Sequence, residues 1–277
     1  MKSSNPIFSR RGFDRPAGAG SAGDHLVNPY AGVGGSSLLK ESPTVRMTMP
    51  MPMTMDDVIV RTAATLGTVV LTAALSWVLL PVDQDALGRS YGIAVTAALT
   101  AFVLSLVQTF KRTPSPALIL GYAAFEGVFL GVISDTTSTY VAPGVIVQAV
   151  LGTFAVFAGV LIAYRMRWIR VTRRFFGFVL ASATGFLLLT AVDLLLSALG
   201  AGNGLGLGSG GLGVVFGVAG VLLGACFLAL DFKQVEDAIA YGAPREESWL
   251  AAFGLTATLV WIYLEALRVL TILRDDI

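Results

Sequence analysis

The sequence predicts an all-α membrane protein: a seven-transmembrane-helix bundle with its N-terminus in the cytoplasm. Three observations carry this. The 277 residues are 55% hydrophobic and 13% charged, with a mean hydropathy of +0.75, whereas a soluble domain of this size needs a more polar surface. Seven apolar segments recur, at about 58–80, 91–110, 116–134, 141–164, 174–199, 212–230 and 249–273, each near the ~20 residues a helix needs to cross the hydrocarbon. Lysine and arginine also alternate between successive connections.

That alternation sets the orientation. The N-terminal stretch carries Lys2, Arg10, Arg11, Arg15, Lys40 and Arg46, and the second connection, "KRTPS", carries Lys111 and Arg112. The fourth, "RMRWIRVTRR", carries five arginines, and the sixth carries Lys233 and Arg245. The first, third and fifth connections share one basic residue, Arg89. Basic connections face the cytoplasm. Frequent glycine and alanine favour close helix packing, and alternation of period two, the mark of a β-barrel, is absent.

Residues 1–56 read as a disordered cytoplasmic tail, rich in Gly, Ser, Pro and Met, ahead of a seven-helix domain over 57–277. Such a composition cannot bury enough apolar surface to offset its ordering entropy. The tail is therefore expected to be dispensable, so that a chain starting at Met55 folds. "MTMPMPMTM" (47–55) reads as low-complexity linker rather than a methionine copper site. In the fifth connection, "GAGNGLGLGSGGLG" (200–213) has no Lys-Ser/Thr and no preceding strand, so it reads as an external hairpin rather than a phosphate loop.

Several functions are excluded by what the chain lacks. Cys226 is the sole cysteine and His25 the sole histidine. Disulfides, zinc sites, Ser-His-Asp triads and di-iron helices are therefore ruled out within one chain. No cofactor, no metal site and no nucleic-acid partner are expected.

The chemistry must come from charges inside the apolar segments, where they are costly and mark function by default. Asp193, near the external end of the fifth segment, can reach the headgroups. Glu126 in "GYAAFEGVFLG" sits beside a stripe formed by Gly127 and Gly131. It reads either as hydrogen-bonding glue or as part of a conduction path. Asp231 ends "GACFLALD", and Phe232, Val235 and Ile239 extend the sixth helix beyond it on one stripe. Glu265 lies in the middle of "TLVWIYLEALRVLTIL".

At ~1.5 Å per residue Asp231 rises about 15 Å and Glu265 about 25 Å from the cytoplasmic helix ends. Tilt can close the remaining ~10 Å, so the two carboxyls are expected to meet. Two such acids in low dielectric share one proton, a pH switch without histidine. Arg268, one turn from Glu265, is a local counter-charge, and Lys111 and Arg112 at the end of the second helix are others. A static interhelical hydrogen bond is the plainer alternative.

"FLALDFKQVEDAI", followed by "YGAPREESWLAAFGLTATLVWIYLEALRVL", resembles the last two helices of the Bax inhibitor-1/YccA-like membrane proteins. In that family an Asp ends the sixth helix and a Tyr-Leu-Asp lies in the seventh. Asp231 matches the first, and Tyr263-Leu264-Glu265 the second with Glu for Asp. "GYAAFEGVFLGVIS" resembles the third-helix signature, and "TMDDVIVRTAATLG" (54–67) the start of helix one in bacterial members. The resemblance covers about 58–275.

It implies a fold in which the last helix is central, wrapped by the other six. It implies a pH-sensitive cation leak, for calcium or another weakly held cation, gated by Asp231 and Glu265 in a bacterial inner membrane. In some bacterial members a basic residue at the end of helix two pairs with the acids, and Lys111 and Arg112 lie near the matching place. Other members are associated with a membrane-bound AAA protease as modulators, so the alternative expectation is a non-conducting membrane modulator of such a protease or of a stress pathway. An intramembrane aspartyl protease would need Gly-x-Gly-Asp where this chain has "WIYLE", so no enzyme is expected.

Overall fold

The computed structural model describes residues 51–80, 87–141, 143–200, 202 and 204–275. Among them are seven long helices and no strand: α1 (Met55–Leu79), α2 (Leu87–Phe110), α3 (Pro116–Tyr140), α4 (Val145–Arg165), α5 (Arg173–Ala198), α6 (Gly210–Ala240) and α7 (Ser248–Asp275). All seven are long and apolar enough to cross a membrane.

The helix starts follow local chemistry. Thr54 and Asp57 form a capping box at α1, the Thr54 side chain accepting from the Asp57 amide and the Asp57 carboxylate from the Thr54 amide. Pro116 occupies the first turn of α3, where its missing N–H costs nothing. Thr172 caps α5 by accepting from the Phe175 amide. As the stripe past Asp231 predicts, α6 runs on to Ala240, 31 residues in all. That is about 46 Å, well beyond the ~30 Å hydrocarbon core, so its last turns stand clear. There Lys233 pairs with Asp237 at 2.6 Å.

The last helix is central. It packs along α1, α3, α4 and α6, while α2 leans on α3 and α5 on α6. From α5, Phe186 reaches Trp261 of α7 with ring centroids 5.4 Å apart. The expectation of six wrapping helices is thus corrected: α2 and α5 form an outer layer against their immediate neighbours. Their apolar faces answer to lipid, which costs an apolar side chain nothing.

Two glycine seams set the helix spacing. On α3, a Cβ at Gly127 or Gly131 would collide with the carbonyl oxygens of Val69 and Ala73 of α1. On α6, a Cβ at Gly213 would lie 2.9 Å from Ile272, at Gly217 2.5 Å from Val269, at Gly220 2.8 Å from Glu265 and at Gly224 2.5 Å from Ile262. The α3 seam follows from the sequence. The α6 spacing of four, three and four is equally readable in "GLGVVFGVAGVLLG". Polar pairs also join α7 to α1 and α3: Thr65 with Thr256 at 2.7 Å and Ser134 with Tyr263 at 2.7 Å.

Residues 51–56, read as the end of the tail, are among the described residues, and α1 begins at Met55. Met53 is 2% exposed and packs with Leu228, Val235, Leu255 and Ile262. The disorder expected for the tail lies, up to residue 50, outside the described residues. A chain starting at Met55 would lose the burial of Met53, about 2 kcal/mol of apolar transfer. It should melt several degrees below a chain starting at Met49 in the same detergent, and equal melting would show that Met53 contributes nothing.

Candidate functional site

The interior carboxyls lie on α3, α6 and α7, and the structure gives each different company. Asp231 lies on α6 facing α7, where its Oδ2 accepts a hydrogen bond from the Thr258 hydroxyl at 2.6 Å. Its Oδ1 points at Gly254, where even an added Cβ would remain 3.5 Å away. No basic side chain pairs with it among the described residues.

Glu265 lies about 10 Å further along α7, since seven residues separate it from Thr258. Its carboxylate rests on the bare backbone of Gly217 and Gly220. Arg268 Nη1 stands 3.7 Å from Glu265 Oε2, with the two side chains 27% and 12% exposed. At that distance the contact is an ion pair without a hydrogen bond, and Oε2 is buried with no hydrogen-bond partner.

Arg268 has two further partners. Its Nη2 donates to the Leu207 carbonyl in the α5–α6 connection, and the guanidinium lies 5.3 Å over the Phe216 ring. It thereby ties that connection to α7. Asp193 folds the same connection: its Oδ1 accepts from the Leu205 amide at 2.7 Å. Gly204 beside it has φ +62 and no room for a Cβ against the Asp193 carbonyl oxygen, 2.6 Å away. Asp193 therefore serves the loop.

The expected meeting of Asp231 and Glu265 is not what the structure shows. The α6 glycines bring α7 in at a height that puts Thr258, not Glu265, opposite Asp231. Glu265 falls opposite Gly220 instead, eleven residues earlier on α6 than Asp231. The ~10 Å left open by the helix-length count is real separation, and no tilt removes it.

The other predicted residues also find places. Glu126 is half-buried on α3, one turn beyond Tyr122, whose ring meets Phe253 of α7 edge-on at 5.0 Å. It makes no ion pair among the described residues. Lys111 and Arg112 are exposed just past α2 and pair with neither acid, because α2 packs on α3 and not on the α6–α7 seam. Sequence reasoning missed Thr258, the neutral partner of Asp231, since a threonine in an apolar helix commonly bonds its own backbone, as Thr271 does.

A family model described as Bax inhibitor 1 like matches residues 5–275, nearly the whole chain. None of the curated proteins matches it.

Proposed function

The chain belongs to the Bax inhibitor 1 like family, and from that premise we propose that it is a pH-sensitive leak for calcium or another hard cation. It is not an enzyme on this reading, and it sits in a bacterial inner membrane with its N-terminus in the cytoplasm. The observation that supports the reading best is the unequal company of the two acids. Asp231 is half-buried against a neutral hydroxyl, while Glu265 is half-buried against Arg268.

The two acids then have different tasks. Asp231 with Thr258 offers oxygen ligands to a hard cation. An unneutralised carboxylate inside a bundle attracts such an ion strongly, because charge interactions there are poorly screened. Glu265 holds Arg268 at the far end of the same seam. While Glu265 is ionised, Arg268 stays and repels a cation. Protonation removes the charge that retains the guanidinium, leaving it to the Leu207 carbonyl and the aqueous side. Acidification therefore opens the leak. The charged groups on this seam are Asp231, Glu265 and Arg268.

The test is calcium flux into liposomes holding the purified protein, read against pH. Flux should exceed that of empty liposomes and rise as the pH falls. Flux equal to empty liposomes at every pH would overturn the reading and leave the non-conducting modulator of a membrane protease or stress pathway as its replacement. The orientation has its own test. A cysteine at Trp168 should be labelled from the cytoplasm and one at Leu205 from outside, and labelling of both from one side would exclude it.

A further inference from the structure

The segment just before α1 does more than lead into the membrane. Met53 N donates to the Ala243 carbonyl at 2.8 Å, and Arg245 N donates to the Met51 carbonyl at 2.9 Å. Pro52 and Pro244 face each other in this antiparallel bridge. Arg245 Nε pairs with Asp57 Oδ1 at 2.7 Å, and Arg61 donates to the Arg245 carbonyl at 2.5 Å while lying 5.2 Å over the Trp249 ring.

The bridge thus straps the start of α1 across the α6–α7 connection. The Met53 side chain, 2% exposed, enters the seam between those helices. It lines a small cavity with Val235, Ala238, Ala251 and Gly254. Gly254 is also the residue that Asp231 faces. Met53 therefore lies between Asp231 and the end of the bundle that carries the α6–α7 connection.

The fastening is weak compared with what surrounds it. Proline on both strands of the bridge removes the N–H groups that would extend it into a sheet. Two backbone hydrogen bonds, one ion pair whose arginine is 54% exposed, the Arg61 contacts with the Arg245 carbonyl and Trp249, and one side chain hold it. Elements held so lightly open far below the free energy of global unfolding.

We infer that residues 51–54 form a releasable strap, with Met53 as its plug, that controls access from this end of the bundle to the Asp231 seam. As a regulator of flux it rests on the leak reading above; as a regulator of access it stands alone.

The experiment uses the full chain with Cys226→Ala and a single probe thiol, Ala251→Cys, beneath Met53. Its labelling by a charged, water-soluble maleimide is timed in detergent micelles, and calcium flux is measured on the same proteins in liposomes. Met53→Ser removes the plug. Asp57→Asn removes the charge that holds Arg245 yet keeps an acceptor for the Thr54 amide, so it serves if Met53→Ser does not insert.

Both changes should speed labelling by about tenfold or more, the low end of the effect of losing one charged hydrogen bond or one buried side chain. Met53→Leu, which keeps the apolar volume, should label like the parent. Faster labelling with unaltered flux would uphold the strap as a regulator of access and overturn its control of flux, whereas faster labelling with flux equal to empty liposomes would uphold the strap and overturn the leak. Parent-like labelling in both Met53→Ser and Asp57→Asn, with melting unchanged, would make the segment a fixed part of the fold and overturn the proposal.

Discussion

Glu265→Gln should open the leak at neutral pH and flatten its pH profile, whereas Asp231→Asn should lower calcium flux about tenfold at every pH. The contrast comes from the partners. Glutamine keeps the volume of Glu265 against Gly217 and Gly220 but cannot retain Arg268 by charge. It imitates the protonated acid permanently. Asparagine at 231 can still accept from Thr258, so the helix contact survives while the charge that draws the cation is lost.

The double variant should combine both effects, low flux with no pH response. The acids share no partner and stand about 10 Å or more apart along the α6–α7 seam, a separation at which free-energy changes normally add. If either amide alone reproduced the phenotype of the other, and the pair added nothing, the two acids would be acting as one proton-sharing unit. The separate tasks assigned here would then be wrong. Asp231→Glu supplies a further check: it keeps the charge and should keep most of the flux, whereas a purely packing role for Asp231 would make it as harmful as Asp231→Asn.

The larger structural effect is expected at the α1–α3 seam. Gly131→Val should lower stability by an amount at or above the upper end of the ~1–3 kcal/mol typical of overpacking, and Gly127→Val should do the same. Overpacking is tolerable when the obstacle is a side chain that can turn aside. Here the obstacles are the backbone carbonyls of Ala73 and Val69, held in the α1 hydrogen-bond ladder. Relief requires α1 to move away from α3, and with it the Ser76 hydroxyl that donates to the Val128 carbonyl at 3.1 Å.

Total stabilities are only about 5–15 kcal/mol, so the double variant should fail to give a monodisperse protein. Gly159→Ala, with nothing within 4 Å of the added carbon, is the control and should melt at or slightly above the parent, as glycine-to-alanine changes in exposed helix do. Parent-like melting of Gly131→Val in detergent would mean that the seam is looser than these contacts require.

The amino-acid sequence by itself determined the seven spans, the continuation of α6 past Asp231, the Gly127–Gly131 contact face and the kinship that residues 5–275 confirm. These are local matters. Hydropathy, helical period and glycine spacing are written within one segment and need no knowledge of its neighbours. Glu265, Arg268 and Asp231 could be singled out for the same reason, as charges in apolar surroundings.

What stands opposite each charge was decided by the tertiary structure. An axial slide of one turn moves a helix by about 5.4 Å, enough to exchange one partner for another, and nothing in α7 alone records that slide. The glycines of α6 set it through contact with Ile262, Glu265, Val269 and Ile272, which delivers Thr258 to Asp231 and bare backbone to Glu265. Met53 was hidden for a related reason. A lone methionine among prolines has no periodicity to read, and its burial depends on a bridge to residues 243–245, nearly two hundred positions away in the chain.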